Sequence, residues 1–194
     1  MWIRIHRHRG INKVLRLLLL TNGFVLLASA MLGPIYALFV EDIGGDLLDA
    51  SFAGTLFALA GGVTVLLSGK YADRMKRPEY VMAAGYLILT FGFFSYLFAQ
   101  TIWHILIIQA ILGFGEAVYS PAYNAIYSRH LDKHHEAAEW GDWEAMAYFV
   151  YAGGAIAGGY VATFLSFQGL FIIMTGFCLL SSVIILAMPR SFYQ

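Results

Sequence analysis

Charge placement constrains this chain more than any other feature. All twelve Lys and Arg residues fall in four short stretches: Arg4 to Arg16, Lys70 to Arg77, Arg129 to Lys133, and Arg190. Each interval between them holds two long apolar runs joined by a turn without Lys or Arg. A helix needs roughly 20 apolar residues to cross about 30 Å of hydrocarbon, so each interval fits an out-and-back pair. Lys and Arg of short loops concentrate on the cytoplasmic side. All four basic stretches can be cytoplasmic together if the chain crosses an even number of times with both termini inside. The expected fold is an all-α membrane protein of six transmembrane helices in one domain spanning residues 1–194.

Composition excludes the main alternatives. The chain is 60% hydrophobic and 12% charged, about half the charge of an ordinary soluble domain. A net charge of zero and the lack of a basic face with interleaved aromatics argue against nucleic acid as a partner. The only cysteine, Cys178, permits neither a disulfide framework nor a cysteine-based metal site. Arg4 to Arg16, the apolar Leu17 to Leu27 and Ala28-Ser29-Ala30 have the order of a cleaved signal peptide. The apolar run continues through Val40, long enough to span, so a retained helix is expected.

Reading along the chain places helices at about 13–39, 47–71, 79–99, 102–128, 139–165 and 169–188. The outer turns are Glu41 to Asp49, Gln100-Thr101 and Ser166-Phe167-Gln168. The third and sixth helices have no ionisable residue inside their apolar stretches and can face lipid. The first and fourth each carry a proline, Pro34 and Pro121, together with Asn22 or with Gln109, Glu116 and Asn124. Polar groups and freed carbonyls at membrane depth are tolerated where they line protein or a water-filled cavity, so these two helices are the expected cavity wall. The matching prolines suggest two three-helix inverted repeats. The second and fifth helices are rich in glycine and alanine, a pattern that lets backbones approach closely within a chain or between subunits.

Between the second and third helices the chain reads Gly69-Lys70-Tyr71-Ala72-Asp73-Arg74-Met75-Lys76-Arg77. This resembles the cytoplasmic loop signature of the major facilitator superfamily, at the position where that family places it. Lys76 stands where glycine is usual and Pro78 where a basic residue is usual. Gln109-Ala110-Ile111-Leu112-Gly113-Phe114-Gly115 is similar to a second family segment, with Gln109 in place of arginine. The fifth helix resembles the glycine-rich helix of the family but lacks its Gly-Pro pair. The resemblance implies one six-helix half of the twelve-helix fold, working by rocker-switch alternating access. It also implies a gate in which Asp73, with Arg74, Arg77 and Arg129, faces the start of a helix in the opposite half. A half alone would expose its polar faces to lipid, so the expected partner is a second copy in a parallel homodimer, the charge asymmetry excluding an antiparallel one.

Glu116 lies near the bilayer centre, where an ionisable group is a functional hypothesis by default. Gln109, Gly113, Glu116, Ser120 and Tyr123 share one helical face by their spacing. Trp140, Glu144, Tyr148 and Tyr151 form a stripe on the fifth helix, either part of a site or an interfacial anchor. Asn22 is either a site residue or an interhelical hydrogen bond. The solute-binding expectation is therefore Asn22, Gln109, Glu116, Tyr123 and Tyr148, with Glu116, or else Glu144, carrying protons. His130 and His134 have helical spacing, but no motif supplies a third metal ligand, so neither a metal nor another cofactor is expected. No nucleophile and base pair lies at membrane depth, which argues against an embedded enzyme. The expectation is a secondary transporter of a small organic solute in a prokaryotic inner membrane, proton-coupled, with a sugar-like solute favoured. Multidrug efflux and a non-transporting assembly subunit are the alternatives.

Overall fold

A computed structural model of the chain describes residues 12–72 and 77–189. Its elements are α1 (Lys13–Leu32), a 3-10 turn (Gly33–Ile35), α2 (Tyr36–Asp42), α3 (Leu47–Ala72), α4 (Pro78–Ser95), a second 3-10 turn (Tyr96–Phe98), α5 (Ile102–Arg129) and α6 (Glu136–Ala187). Among the described residues, five helical segments are long and apolar enough to cross a membrane: Lys13–Asp42, Leu47–Gly69, Pro78–Phe98, Ile102–Arg129 and Glu136–Ala187.

Local chemistry sets the boundaries. Asn12 caps α1, its Oδ1 accepting the Val14 N–H at 3.1 Å. Pro34 stands in the first 3-10 turn, which interrupts the first span without ending it; proline removes one helical donor and clashes with the preceding turn. Asp46 and Asp49 cap α3 reciprocally: the Asp49 N–H donates to Asp46 Oδ1 at 2.9 Å, and the Asp46 N–H to Asp49 Oδ2 at 3.1 Å. Pro78 opens α4 at a position where its missing N–H has no partner to lose.

The 52 residues of α6 would make a rod of about 78 Å, far longer than a bilayer is thick. The helix instead breaks at Ser166, whose φ of 66° and ψ of 172° are non-helical. Two hydrogen bonds fix the consequence. Trp143 Nε1 donates to Asn22 Oδ1 at 3.1 Å, and Ser181 Oγ donates to the Thr21 carbonyl at 2.9 Å. In a straight helix residues 143 and 181 would stand about 57 Å apart, yet they meet adjacent residues of α1. The arms 136–165 and 167–187 therefore run antiparallel against the same helix. The expected turn at Ser166 to Gln168 coincides with this break.

The packing repeats itself across the bundle. A side chain at Gly113 of α5 would collide with the Phe57 backbone of α3, and one at Gly158 of α6 with the Met31 backbone of α1. Both glycines exist to let two backbones touch. The second arm of α6 fills the centre, where Ser182 Oγ donates to the Ala83 carbonyl of α4 at 3.1 Å. Phe39, Tyr96 and Phe171 close one end of the core, with ring centroids 4.8–5.5 Å apart. Tyr123, Tyr127 and Trp140 close the other.

The most exposed helix is α3. It packs chiefly on α5 and leaves Phe52, Leu59, Val63, Leu66 and Leu67 uncovered. Water would not tolerate so large an apolar face; lipid or another helical surface would.

Candidate functional site

Two residues of the expected polar face of α5, Gln109 and Glu116, line a cavity, whereas Gly113, Ser120 and Tyr123 do not. Gln109, Leu112 and Glu116 recur at spacings of three and four, which puts them on one side of the helix. They open onto a cavity of about 450 Å³, within the size range of small-molecule sites. Gly33 and Pro34 tighten the end of α1 into the 3-10 turn that precedes Tyr36. The turn after α4 supplies Tyr96, α3 supplies Ala50, Gly54 and Phe57, and the first arm of α6 supplies Tyr151. Ser29, Leu32, Leu89 and Phe93 complete the wall. Gly54 meets nothing within 4 Å of where a side chain would begin, so it leaves room rather than making contact.

The polar groups of this cavity are unevenly spread. Tyr36 lies beside both Tyr96 and Gln109, yet neither phenolic hydroxyl makes a hydrogen bond of full geometry, and both hydroxyl oxygens are buried. Glu116 stands two helical turns further along α5, about 10 Å from Gln109, and is exposed on the open side of the chain. Leu112, Phe57 and Phe93 lie among the cavity's lining residues as well.

Pro121 sits inside α5 without breaking it. Proline has no N–H, so the Ala117 carbonyl one turn earlier loses its helical donor. Ser68 Oγ of α3 donates to that carbonyl at 2.8 Å. The proline is thus accommodated by a hydroxyl from the neighbouring helix, one residue from Glu116.

Of the residues singled out in the sequence as site candidates, Gln109, Glu116 and Tyr151 line the cavity, and Asn22, Tyr123, Tyr148 and Glu144 do not. Asn22 is buried and accepts the Trp143 indole N–H. Tyr123 is buried and stacks on Tyr127, with centroids 5.7 Å apart. Tyr148 and Glu144 are exposed on the first arm of α6. Arg77 lies over the Tyr80 ring at 5.4 Å and donates to its hydroxyl at 3.3 Å. Arg129 is exposed at the end of α5. Asp73 and Arg74 lie outside the described residues. Tyr36, Tyr96 and Ser29 were not singled out, because an isolated tyrosine or serine in an apolar run carries no pattern of its own.

Helices of spanning length around a polar-edged cavity define an integral membrane protein with a solute-sized site. The sequence profile of the Major Facilitator Superfamily matches residues 18–192, and the chain belongs to that family of membrane transporters. Among its curated relatives, "Multidrug resistance protein MdtG" of Serratia proteamaculans (strain 568) is 28% identical over 57% of this chain and 28% of its own length. The proteins of the same name in Salmonella typhimurium (strain LT2) and Enterobacter lignolyticus (strain SCF1) are each 28% identical, over 54% and 57% of this chain and 27% of their own length. The matched stretch thus covers less than a third of these relatives.

Proposed function

We propose that this chain forms one wall of a translocation pathway for a small organic solute, and that Glu116 couples transport to protons. The observation carrying the reading is the placement of Glu116 and Gln109 on one face of the proline-bearing α5, lining a solute-sized cavity on the chain's open side. A carboxylate at that depth is costly in a membrane unless it serves a pathway. The reversal of α6 at Ser166 adds a sixth crossing to the five helical segments, so both termini share one side. Charge placement makes that side cytoplasmic in a bacterial inner membrane.

The helices follow two three-helix repeats of opposite topology. The first span meets the first arm of α6 at Gly158, as α5 meets α3 at Gly113. The open faces of α3 and of this arm are completed by a second six-helix half. A parallel second copy would supply it, and alternating access would then rock the two halves about the cavity. Asp73, Arg74, Arg77 and Arg129 form the cytoplasmic gate of that cycle.

For the solute, the apolar lining by Leu32, Phe57, Leu89, Phe93 and Leu112 supports an amphipathic, largely apolar molecule. The relatives' name points the same way, to multidrug efflux. A sugar-like solute is the second reading, favoured by tyrosine rings beside an amide and a carboxylate. The test is counterflow and gradient-driven accumulation of both solute kinds in proteoliposomes. Glu116→Gln should abolish accumulation and preserve exchange at saturating solute. Accumulation persisting in that variant would remove Glu116 from coupling and leave Glu144 as the candidate. No flux of either solute would remove the transport reading.

A further inference from the structure

The cavity's polar groups are sorted by type along its length. At one end stand Tyr36, Tyr96 and Gln109, side by side. Tyr96 is only 2% exposed, and its hydroxyl and that of Tyr36 are buried beside one another without a hydrogen bond of full geometry. Phenols and a primary amide can all donate, and a buried donor without an acceptor is costly. At the other end, about 10 Å away along α5, stands Glu116, the one carboxyl lining the cavity among the described residues, which as a carboxylate only accepts. The apolar Leu112, Phe57 and Phe93 belong to the same wall.

We infer that the cavity takes an elongated amphipathic solute with a carbonyl-type acceptor at the Tyr36–Tyr96–Gln109 end, an apolar body, and a donor such as an amine at Glu116. The inference rests on the reading of this cavity as a solute site and deepens it. Tyr96 and Tyr36 act as specificity determinants: their hydroxyls select the acceptor, and their rings only shape the wall. A solute lacking the acceptor would leave the two buried hydroxyls without a well-aligned acceptor, which is how buried polar groups discriminate more sharply than apolar contacts do.

The test uses the full chain in nanodiscs, without any gradient, and two probes. One is an arylalkylamine with a ketone about 10 Å from its amine, a spacing set by two helical turns. The other carries a methylene in place of the ketone. Binding is read by tryptophan fluorescence in the parent chain and in Tyr96→Phe, Tyr36→Phe and Glu116→Gln. The parent should prefer the ketone by roughly tenfold, the equivalent of one net hydrogen bond. Tyr96→Phe and Tyr36→Phe should each shrink that preference towards unity while leaving the methylene probe's affinity within about twofold, the conservative ring being kept. Glu116→Gln should weaken both probes alike and keep their ratio.

Equal affinity of the two probes in the parent would overturn the inference. So would a ketone preference that survives both tyrosine substitutions, a parallel loss of both probes in both tyrosine variants, or no binding at all. Because binding is measured at equilibrium, a chain that binds as described but moves no solute would refute transport and leave this inference standing. Transport of solutes without any such acceptor preference would do the reverse.

Discussion

Two adjacent glycines should respond oppositely to the same methyl group. At Gly158 a Cβ would meet the backbone of Met31, 2.5 Å from its carbonyl carbon and 2.7 Å from its Cα. Non-bonded carbon atoms sit at about 3.5–4.0 Å, so α1 and the first arm of α6 must part by about 1 Å. A gap of that width forfeits a quarter to a half of each dispersion well along the seam. Overpacking of this kind costs about 1–3 kcal/mol, and the upper end applies here because backbone cannot rotate aside. Replacing glycine by alanine in a helix returns about 1 kcal/mol, so Gly158→Ala should lose about 2 kcal/mol net. At Gly159 a Cβ would meet nothing within 4 Å, and Gly159→Ala should gain about 0.5–1 kcal/mol. At about 2–4 °C per kcal/mol for a chain of this size, the two variants should unfold about 5–12 °C apart. Thermal unfolding of the purified variants, followed by tryptophan fluorescence, measures this. Equal midpoints, or a more stable Gly158→Ala, would refute the close contact between α1 and α6.

Ser68→Ala should cost about 1–3 kcal/mol by orphaning the Ala117 carbonyl; in a Pro121→Ala background the helical N–H is restored and the same change should cost almost nothing. A thermal-unfolding cycle of the four proteins reads the coupling, and additive effects would sink this account of the proline. Asn22→Ala should destabilise by about 1–3 kcal/mol, because the Trp143 indole N–H loses its acceptor; restoring stability by adding Trp143→Phe would confirm that the pair, rather than Asn22 alone, is responsible. Ser166→Gly should stabilise the chain by about 1 kcal/mol, since a φ of 66° with a ψ of 172° belongs to a region that is nearly glycine-only. A drop in midpoint for that variant would show that the serine side chain does more for the turn than the strain costs.

The sequence by itself determined that the chain is built of apolar helices of spanning length, because crossing a membrane is a matter of apolar length and charge placement, both of which are local. Lys70 to Arg77 and Arg129 to Lys133 mark the turns at one side, and the polar break at Ser166 to Gln168 falls at the residue where α6 reverses. The spacing of Gln109 and Glu116 likewise fixed their shared face before any neighbour was known, since a helix repeats every 3.6 residues whatever surrounds it. Tertiary structure decided what those faces meet. Asn22 lies on the first span as plausibly a site residue as any, yet the rotation of α6 brings Trp143 to it. Tyr123 follows the periodicity of Glu116, but the packing around it buries it in the stack with Tyr127. Tyr36 and Tyr96, 60 residues apart and without a shared motif, reach one cavity only because a 3-10 turn interrupts one span and another ends a second span there. Such pairings depend on helix rotation and register, which are set by where backbones can touch, at Gly113 and Gly158. Periodicity within one helix carries no record of that contact.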